Sequence, residues 1–278
     1  MVPSIITPEE MYAAEQAVFE TGRASFQLMQ RAGESVADLA HKSYPAGPMI
    51  VLCGPGGNGG DGFVAAAHLR DLGRSVCVYL LGSADRLRGD TRRAAELWGG
   101  KIGRLSDVRQ AAPGVTIDAA FGAGLSRPLT GVLASLAEAL HGPIVSVDVP
   151  SGLDGLTGRP RSICFKARLT VTFAALRPAH VLSPGKAFCG RVEIVDIDVP
   201  VPNHTVFRAI AADEARGARI VEDATALAAM APAVSGKPAN RIAAVRQAAQ
   251  HMGHPVLLSS PERILGQANG KVIVAPNE

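Results

Sequence analysis

Three short loops in this sequence carry residue types that could bind an anion, hold a hard cation and move a proton. The first is Gly54-Pro55-Gly56-Gly57-Asn58-Gly59-Gly60-Asp61-Gly62. Its glycines let backbone amides approach a ligand without interference from a Cβ. The loop leads into a helical pattern, and a helix start presents unpaired N–H groups, so an anion is its natural guest. Asp61 falls where it could cap that helix. The second loop is Asp118-Ala119-Ala120-Phe121-Gly122-Ala123-Gly124-Leu125-Ser126-Arg127-Pro128. An acid inside an otherwise apolar strand is costly without a partner. The bland reading of this loop is a capped turn. The third is Ser146-Val147-Asp148-Val149-Pro150-Ser151-Gly152-Leu153-Asp154, in which Asp148 closes an apolar run. Asp118, Asp148, the Asn58 amide and the Ser151 hydroxyl form an all-oxygen set. Such ligands suit an alkali or alkaline-earth cation, not zinc or copper.

Gly54, Gly56 and Gly59 also satisfy the GxGxxG pattern of dinucleotide sites. A redox dehydrogenase would need an acid at the end of the second strand. That strand ends Tyr79-Leu80-Leu81-Gly82, and Asp85 comes too late. A purely structural glycine turn is equally disfavoured, because so many glycines are costly unless something binds. Pro150-Ser151-Gly152 lacks the first glycine of a GxSxG elbow, so no serine-hydrolase set is present. The seven histidines cluster with nothing and read as surface or satisfied side chains.

The elements that must position these loops alternate. Thr7-Pro8-Glu9-Glu10 opens a helix with a capping box, followed by Met11, Ala14 and Val18 at helical spacing. A second helix runs from about Ser25, and its stripe of Phe26, Met29, Gly33, Val36 and Leu39 reads as core. Apolar runs at 49–53, 76–81, 115–121, 143–149 and 169–173 read as strands, and helical patterns lie around 61–72, 90–99 and 131–140. The segment 191–197 alternates better and suits a sheet edge. This order predicts a doubly wound α/β fold: a mostly parallel sheet with helices on both faces, a Rossmann-like three-layer αβα arrangement. Ligands of such sheets bind beyond the carboxyl ends of the strands, where all three loops lie.

The sequence divides into a domain over 1–204 and a segment over 205–278. Val199-Pro200-Val201-Pro202 reads as an extended linker. The segment after it shows one clear helix near 239–251 and short apolar runs at 255–258 and 272–275, little with which to close a core of its own. The 278 residues are 47% hydrophobic and 19% charged, enough for a sizeable core. A net charge of +3 gives no argument for nucleic acid or an acidic membrane surface. Cys53, Cys77, Cys164 and Cys189 form no CxxC pair and read as buried small hydrophobes in a reducing compartment. No basic-then-apolar leader and no membrane-length apolar run is present, which predicts a soluble, cytoplasmic protein.

The three loops in this order resemble the NAD(P)H-hydrate epimerase family, the N-terminal half of the bifunctional hydrate-repair proteins. The likeness runs from near Met11 to about Pro200. It rests on Leu28-Met29 with Ala32-Gly33, the NGGDG loop at 58–62, Asp118 with GAGL at 122–125, DVPSGLDG at 148–155, Thr172-Phe173-Ala174, Pro184-Gly185 and Cys189-Gly190. The resemblance implies interconversion of the R and S forms of hydrated NADH and NADPH, NADHX and NADPHX. It implies dinucleotide contacts from Asn58, Gly59, Gly60, Asp61 and Gly62, and from Gly122, Ala123, Gly124, Leu125, Ser126, Arg127 and Pro128. Asp148 would contact the reactive end and act as the catalytic residue. Asn58, Asp118 and Ser151 look like ligands of a potassium ion, K+. A homodimer is the implied assembly. Gly57 and Ala123 stand where the family often has Asn and Thr. A non-catalytic nucleotide-binding or scaffolding descendant of the enzyme is the alternative.

The segment after 205 resembles a piece of the ADP-dependent hydrate dehydratase domain, which is ribokinase-like. The signs are Asn240-Arg241-Ile242-Ala243-Ala244-Val245-Arg246, Pro255-Val256-Leu257-Leu258 and Gly270-Lys271-Val272-Ile273-Val274. Ser259-Ser260 replace the usual Lys-Gly, and the GTGD nucleotide loop is missing. The resemblance therefore implies a degenerate remnant without dehydratase activity, whose removal leaves epimerisation within a few-fold.

Overall fold

A computed structural model describes residues 2–108, 114–222, 227, 240–259 and 261–276. Residue 239 of the expected tail helix and Ser260 lie outside them. Seven strands form the main sheet: β1 Met49–Cys53, β2 Val76–Leu80, β3 Ile102–Arg104, β4 Val115–Ala119, β5 Ile144–Val147, β6 Leu169–Phe173 and β7 Arg191–Val195. Their order is β3-β2-β1-β4-β5-β6-β7, and every pairing is parallel. The better-alternating β7 sits at one edge, as its pattern predicts. Strand β3, at the other edge, has one apolar residue in Ile-Gly-Arg and gave no periodic signal.

The period of two along each strand sorts the layers. Met49, Val51 and Cys53 of β1 share a core with Val36, Phe63 and Trp98. These come from α2 Ser25–Ser43, α3 Gly57–Asp71 and α4 Gly89–Trp98. Ile50 and Leu52 face the opposite layer, with Leu133 and Leu136 of α5 Gly131–Ala139. Helix α1, Pro8–Glu20, opens with the expected capping box between Thr7 and Glu10. The strand order reverses between β1 and β4, so the loops after these two strands diverge and leave a crevice between them.

The C-terminal segment is more ordered than its sequence suggests. Strands β8 Thr205–Phe207, β9 Arg219–Val221, β10 Val256–Leu258, β11 Arg263–Gly266 and β12 Val272–Ala275 form a second sheet, ordered β8-β12-β11-β10-β9. A helix, Arg241–Met252, covers it through Ile242, Val245 and Ala249. The expectation of too few apolar residues for a closed core is met by sharing. Ile5, Leu176, Val181 and Leu182 of the first domain pack into the same cluster as Val256, Ile264 and Val274. The N-terminal segment is strung between the two sheets: Ile5 N donates to Thr205 O at 2.9 Å and Ile6 N to Leu176 O at 2.9 Å. Removing the tail would expose these four apolar side chains, so a truncated protein that keeps epimerisation within a few-fold must tolerate their exposure. Cys77 also departs from expectation: it lies on an exposed face of β2. Among the described residues no helix is long and apolar enough to cross a membrane.

Candidate active site

A cavity of about 750 Å³ opens at the carboxyl ends of the strands, lined by residues of all three loops. Gly56, Gly57, Asn58 and Asp61 come from the first loop, Gly122 to Arg127 from the second and Asp148 from the third. The facing wall is α1 and α2, through Met11, Tyr12, Glu15, Leu28 and Met29. The stripe on α2 therefore does two things. Phe26 and Val36 are core, whereas Met29, partly buried, also borders the cavity.

The glycine loop is not a loop throughout. Helix α3 starts at Gly57, with Gly56 as its N-cap and no capping side chain. Asp61 thus lies in the second helical turn and lines the cavity instead of capping. Its glycines divide into two kinds. A Cβ on Gly59 would stand 1.8 Å from Gly54 O, and one on Gly54 would stand 1.8 Å from Ala120 O. A Cβ on Gly62 would meet Ala119 at 2.6 Å, and one on Gly60 would meet Met29 at 2.5 Å. Gly54, Gly59 and Gly62 let α3 approach β1 and β4, whereas at Gly60 the obstacle is the flexible end of Met29, so packing is a larger part of the glycine content than the sequence suggested. Gly56 and Gly57 have open space around them and face the cavity. Gly59, Gly60, Gly62 and Pro128 do not line it.

Beneath the second loop, Asp118 is wholly buried. It accepts hydrogen bonds from Ser151 N at 2.8 Å, Ser151 Oγ at 2.6 Å, Ser146 Oγ at 3.0 Å and Ala120 N at 3.4 Å. Burial nevertheless outweighs these donors and raises its pKa above the usual carboxylate value. Among the described residues no basic side chain pairs with it. Phe121 N donates to Ser151 Oγ at 2.8 Å, and Phe121 O lies 3.0 Å from the same oxygen. The Asn58 amide reaches the adjoining Gly122, and its buried Nδ2 has no protein partner. A buried carboxyl with no basic partner, beside the Ser151 hydroxyl, the Phe121 carbonyl and, through Gly122, the Asn58 Oδ1, is an oxygen set of the kind a hard monovalent cation takes; the orphaned Asn58 Nδ2 is a donor and adds nothing to it.

Asp148 directly follows β5 and holds a left-handed backbone, φ 65°. A non-glycine residue there is strained, and the surroundings over-determine it. Its N–H donates to Val171 O at 2.7 Å, and its carbonyl accepts from His180 Nε2 at 2.8 Å. Its carboxylate accepts from Ala123 N at 2.8 Å and Thr172 Oγ1 at 3.3 Å, with Arg177 Nη2 at 3.4 Å. Arg177 is itself buried and also donates to Ala175 O at 3.1 Å. Arg177 N donates to His180 Nδ1 at 3.0 Å, which fixes the proton on Nε2. Burial lowers the pKa of His180 to about 4; the Asp148 charge opposes that shift and Arg177 adds to it. The imidazole is therefore neutral at physiological pH. Burial, then the charges of Asp148 and Glu15, push the Asp61 carboxyl well above its usual range. Glu15 is likewise raised, by burial, with Arg177 opposing and Asp148 adding.

The structure thus gathers Asn58, Asp61, Gly122, Ala123, Gly124, Leu125, Ser126, Arg127 and Asp148 on one cavity, with Asp118 and Ser151 behind its wall. Sequence reasoning missed Glu15, Arg177 and His180. Glu15 stands on a helix read as core. Arg177 caps and His180 lies within a four-residue helix, Pro178–Val181, too short to leave a periodic signal.

Residues 25–179 match the family described as YjeF-related protein N-terminus. The chain belongs to this family. It is 40% identical over 198 residues to an NAD(P)H-hydrate epimerase of Rhodobacter capsulatus, covering 63% of this chain and 91% of that one. It is 35% identical over 203 residues to an NAD(P)H-hydrate epimerase of Limosilactobacillus fermentum, covering 70% and 98%. A bifunctional NAD(P)H-hydrate repair enzyme of Thermofilum pendens is 39% identical over 188 residues, but only 36% of its length is spanned. A crystal structure of the yeast protein ynu0 superposes with a TM-score of 0.60 at 22% identity, covering 69% of this chain and 88% of that one, which shows a shared fold.

Proposed function

We propose that this protein is an NAD(P)H-hydrate epimerase, interconverting the R and S forms of NADHX and NADPHX. The observation that carries this reading is Asp148, held in a strained backbone at a dinucleotide-sized cavity and flanked by a second acid in a different electrostatic setting. Epimerisation needs the hydroxyl on the hydrated carbon to leave and return on the other face, or the ring to open and reclose. Either route needs a proton donor and an acceptor beside the ring. Asp61, whose carboxyl stays protonated more readily, protonates the departing hydroxyl, which leaves as water with the C–O electron pair. Asp148, oriented by Ala123 N and Arg177, faces the cationic ring that forms and stabilises it. Water then adds to the other face and loses its proton to Asp148, and proton exchange with solvent resets the two carboxyls. Two carboxylates whose surroundings differ in this way support an acid and a base assignment. The open face of Gly56 and Gly57 at the start of α3 suits the pyrophosphate.

Asn58, Asp118 and Ser151 would hold potassium. When bound there, the ion would neutralise Asp118 and stiffen the Phe121–Gly122 backbone along the cavity. A cation that binds only the folded protein raises its stability by about 2.7 kcal/mol at one hundred times its Kd. The melting temperature should therefore be higher in potassium chloride than in lithium chloride, and Asp118→Asn should abolish the difference. A parent protein melting at the same temperature in both salts would remove the cation from this account.

The reading is tested with an R/S mixture of NADHX displaced from equilibrium and followed by chromatography. The protein should restore the equilibrium ratio. Adding ATP or ADP should not reduce the total hydrate, because we read the C-terminal sheet as a dehydratase remnant. A protein that binds the dinucleotide but leaves the ratio at the blank rate is a binding module instead.

A further inference from the structure

We propose that the C-terminal sheet is a brace for the active site, acting through Glu262 and Arg241 as positioning residues for Asp148. This rests on the epimerase reading above. Glu262 is 1% exposed, an unusual place for a carboxylate without a purpose. Its Oε1 accepts from Ser183 N at 2.6 Å, and its Oε2 lies 2.6 Å from Arg241 Nη2. Arg241 Nη2 also donates to Ser183 O at 2.8 Å. The pair therefore grips both backbone polar groups of one residue of the first domain.

Ser183 lies two residues past the short helix Pro178–Val181. That helix is held at its other side by the catalytic loop, through His180 Nε2 to Asp148 O and, just before it, Arg177 to the Asp148 carboxylate. Leu182, between helix and clamp, is fully buried in the core shared with the C-terminal sheet. The arrangement runs without a break: Glu262 and Arg241 fix Ser183, the helix fixes His180 and Arg177, and these two fix the strained backbone and the carboxylate of Asp148. The tail adds no described side chain to the cavity lining. Its effect is on the position of the residue that reacts.

The test uses the full-length protein, its Glu262→Ala variant and Glu262→Gln, which keeps an acceptor for Ser183 N. Two readouts are followed: kcat and KM for NADHX epimerisation, and the ¹⁵N-histidine NMR signal of His180. In the parent, that signal should show an unprotonated Nδ1 and a slowly exchanging Nε2–H. A displacement of about 1 Å at a reacting group can cost up to about 10²-fold in rate. Glu262→Ala is expected to lower kcat by about tenfold or more with KM little changed. It should also accelerate Nε2–H exchange at His180, whereas Glu262→Gln should retain most of the parental behaviour. Arg241→Gln, at a partly exposed position, carries the same test if Glu262→Ala does not fold. A folded clamp variant with parental kcat, or one with lowered kcat and an unaltered His180 signal, overturns the brace. A parent without epimerase activity would sink the functional reading instead, and the His180 signal alone would then decide the brace.

Discussion

Asp148→Asn is expected to lose about 10²–10⁴-fold in epimerisation rate, the usual contribution of a positioned acid–base group. It should still bind dinucleotide. The amide fills the same volume, and its oxygen can still accept from Ala123 N, the bond of 2.8 Å that holds this side chain against the second loop. The variant loses the negative charge that pairs with Arg177 and, on the proposed role, the base beside the ring. Transition-state stabilisation therefore falls while ground-state binding does not, so kcat and not KM should carry the loss. An Asp148→Asn protein that equilibrates the epimers at the parental rate would transfer the role to Asp61 or Glu15, the other acids on the cavity.

Gly59→Val is expected to prevent folding, whereas Gly57→Ala should fold normally and bind dinucleotide less well. A Cβ at 59 would lie 1.8 Å from Gly54 O. That obstacle is backbone at the end of β1 and cannot rotate away. The cost should exceed the ~1–3 kcal/mol of ordinary overpacking, a large share of a typical stability of ~5–15 kcal/mol. A methyl on Gly57 meets no protein atom within 4 Å and instead occupies ligand space. Thermal melting and calorimetric titration separate the two effects. A soluble, cooperatively melting Gly59→Val protein would show that the first loop is looser than its packing implies.

The contrast between these glycines shows how far the sequence could be read. The continuous apolar run at 49–53 was legible to the residue, because burial on both faces leaves no other explanation for it, and 169–173, where Leu, Val and Phe alternate with threonine, was bounded equally well. Their alternation with helices was enough for the parallel sheet and for the end of it at which the cavity opens. Within the site, Asn58, Asp61, Asp118 and Asp148 stood out because polar groups beside glycines at strand ends have few structural uses. The glycines themselves were ambiguous. A ligand and a closely packed helix demand the same missing Cβ, and only the third dimension separates Gly57 from Gly59.

Other features left no local trace. Arg177 precedes and His180 belongs to a single helical turn, and both bond Asp148 across about thirty positions of sequence. Glu262 acts through Ser183 across 79. The C-terminal sheet was underestimated because its shortest strands have three residues, and its core borrows Ile5, Leu176, Val181 and Leu182 from the first domain. A count of apolar residues within one segment cannot register a core that two segments share.

The most direct measurement of the central claim is a pair of time courses, each begun from a single purified epimer of NADHX. With the protein present, both should converge on one R/S ratio, far faster than in protein-free buffer and with the total hydrate constant. Either pure epimer persisting at the rate of the protein-free control would contradict the account.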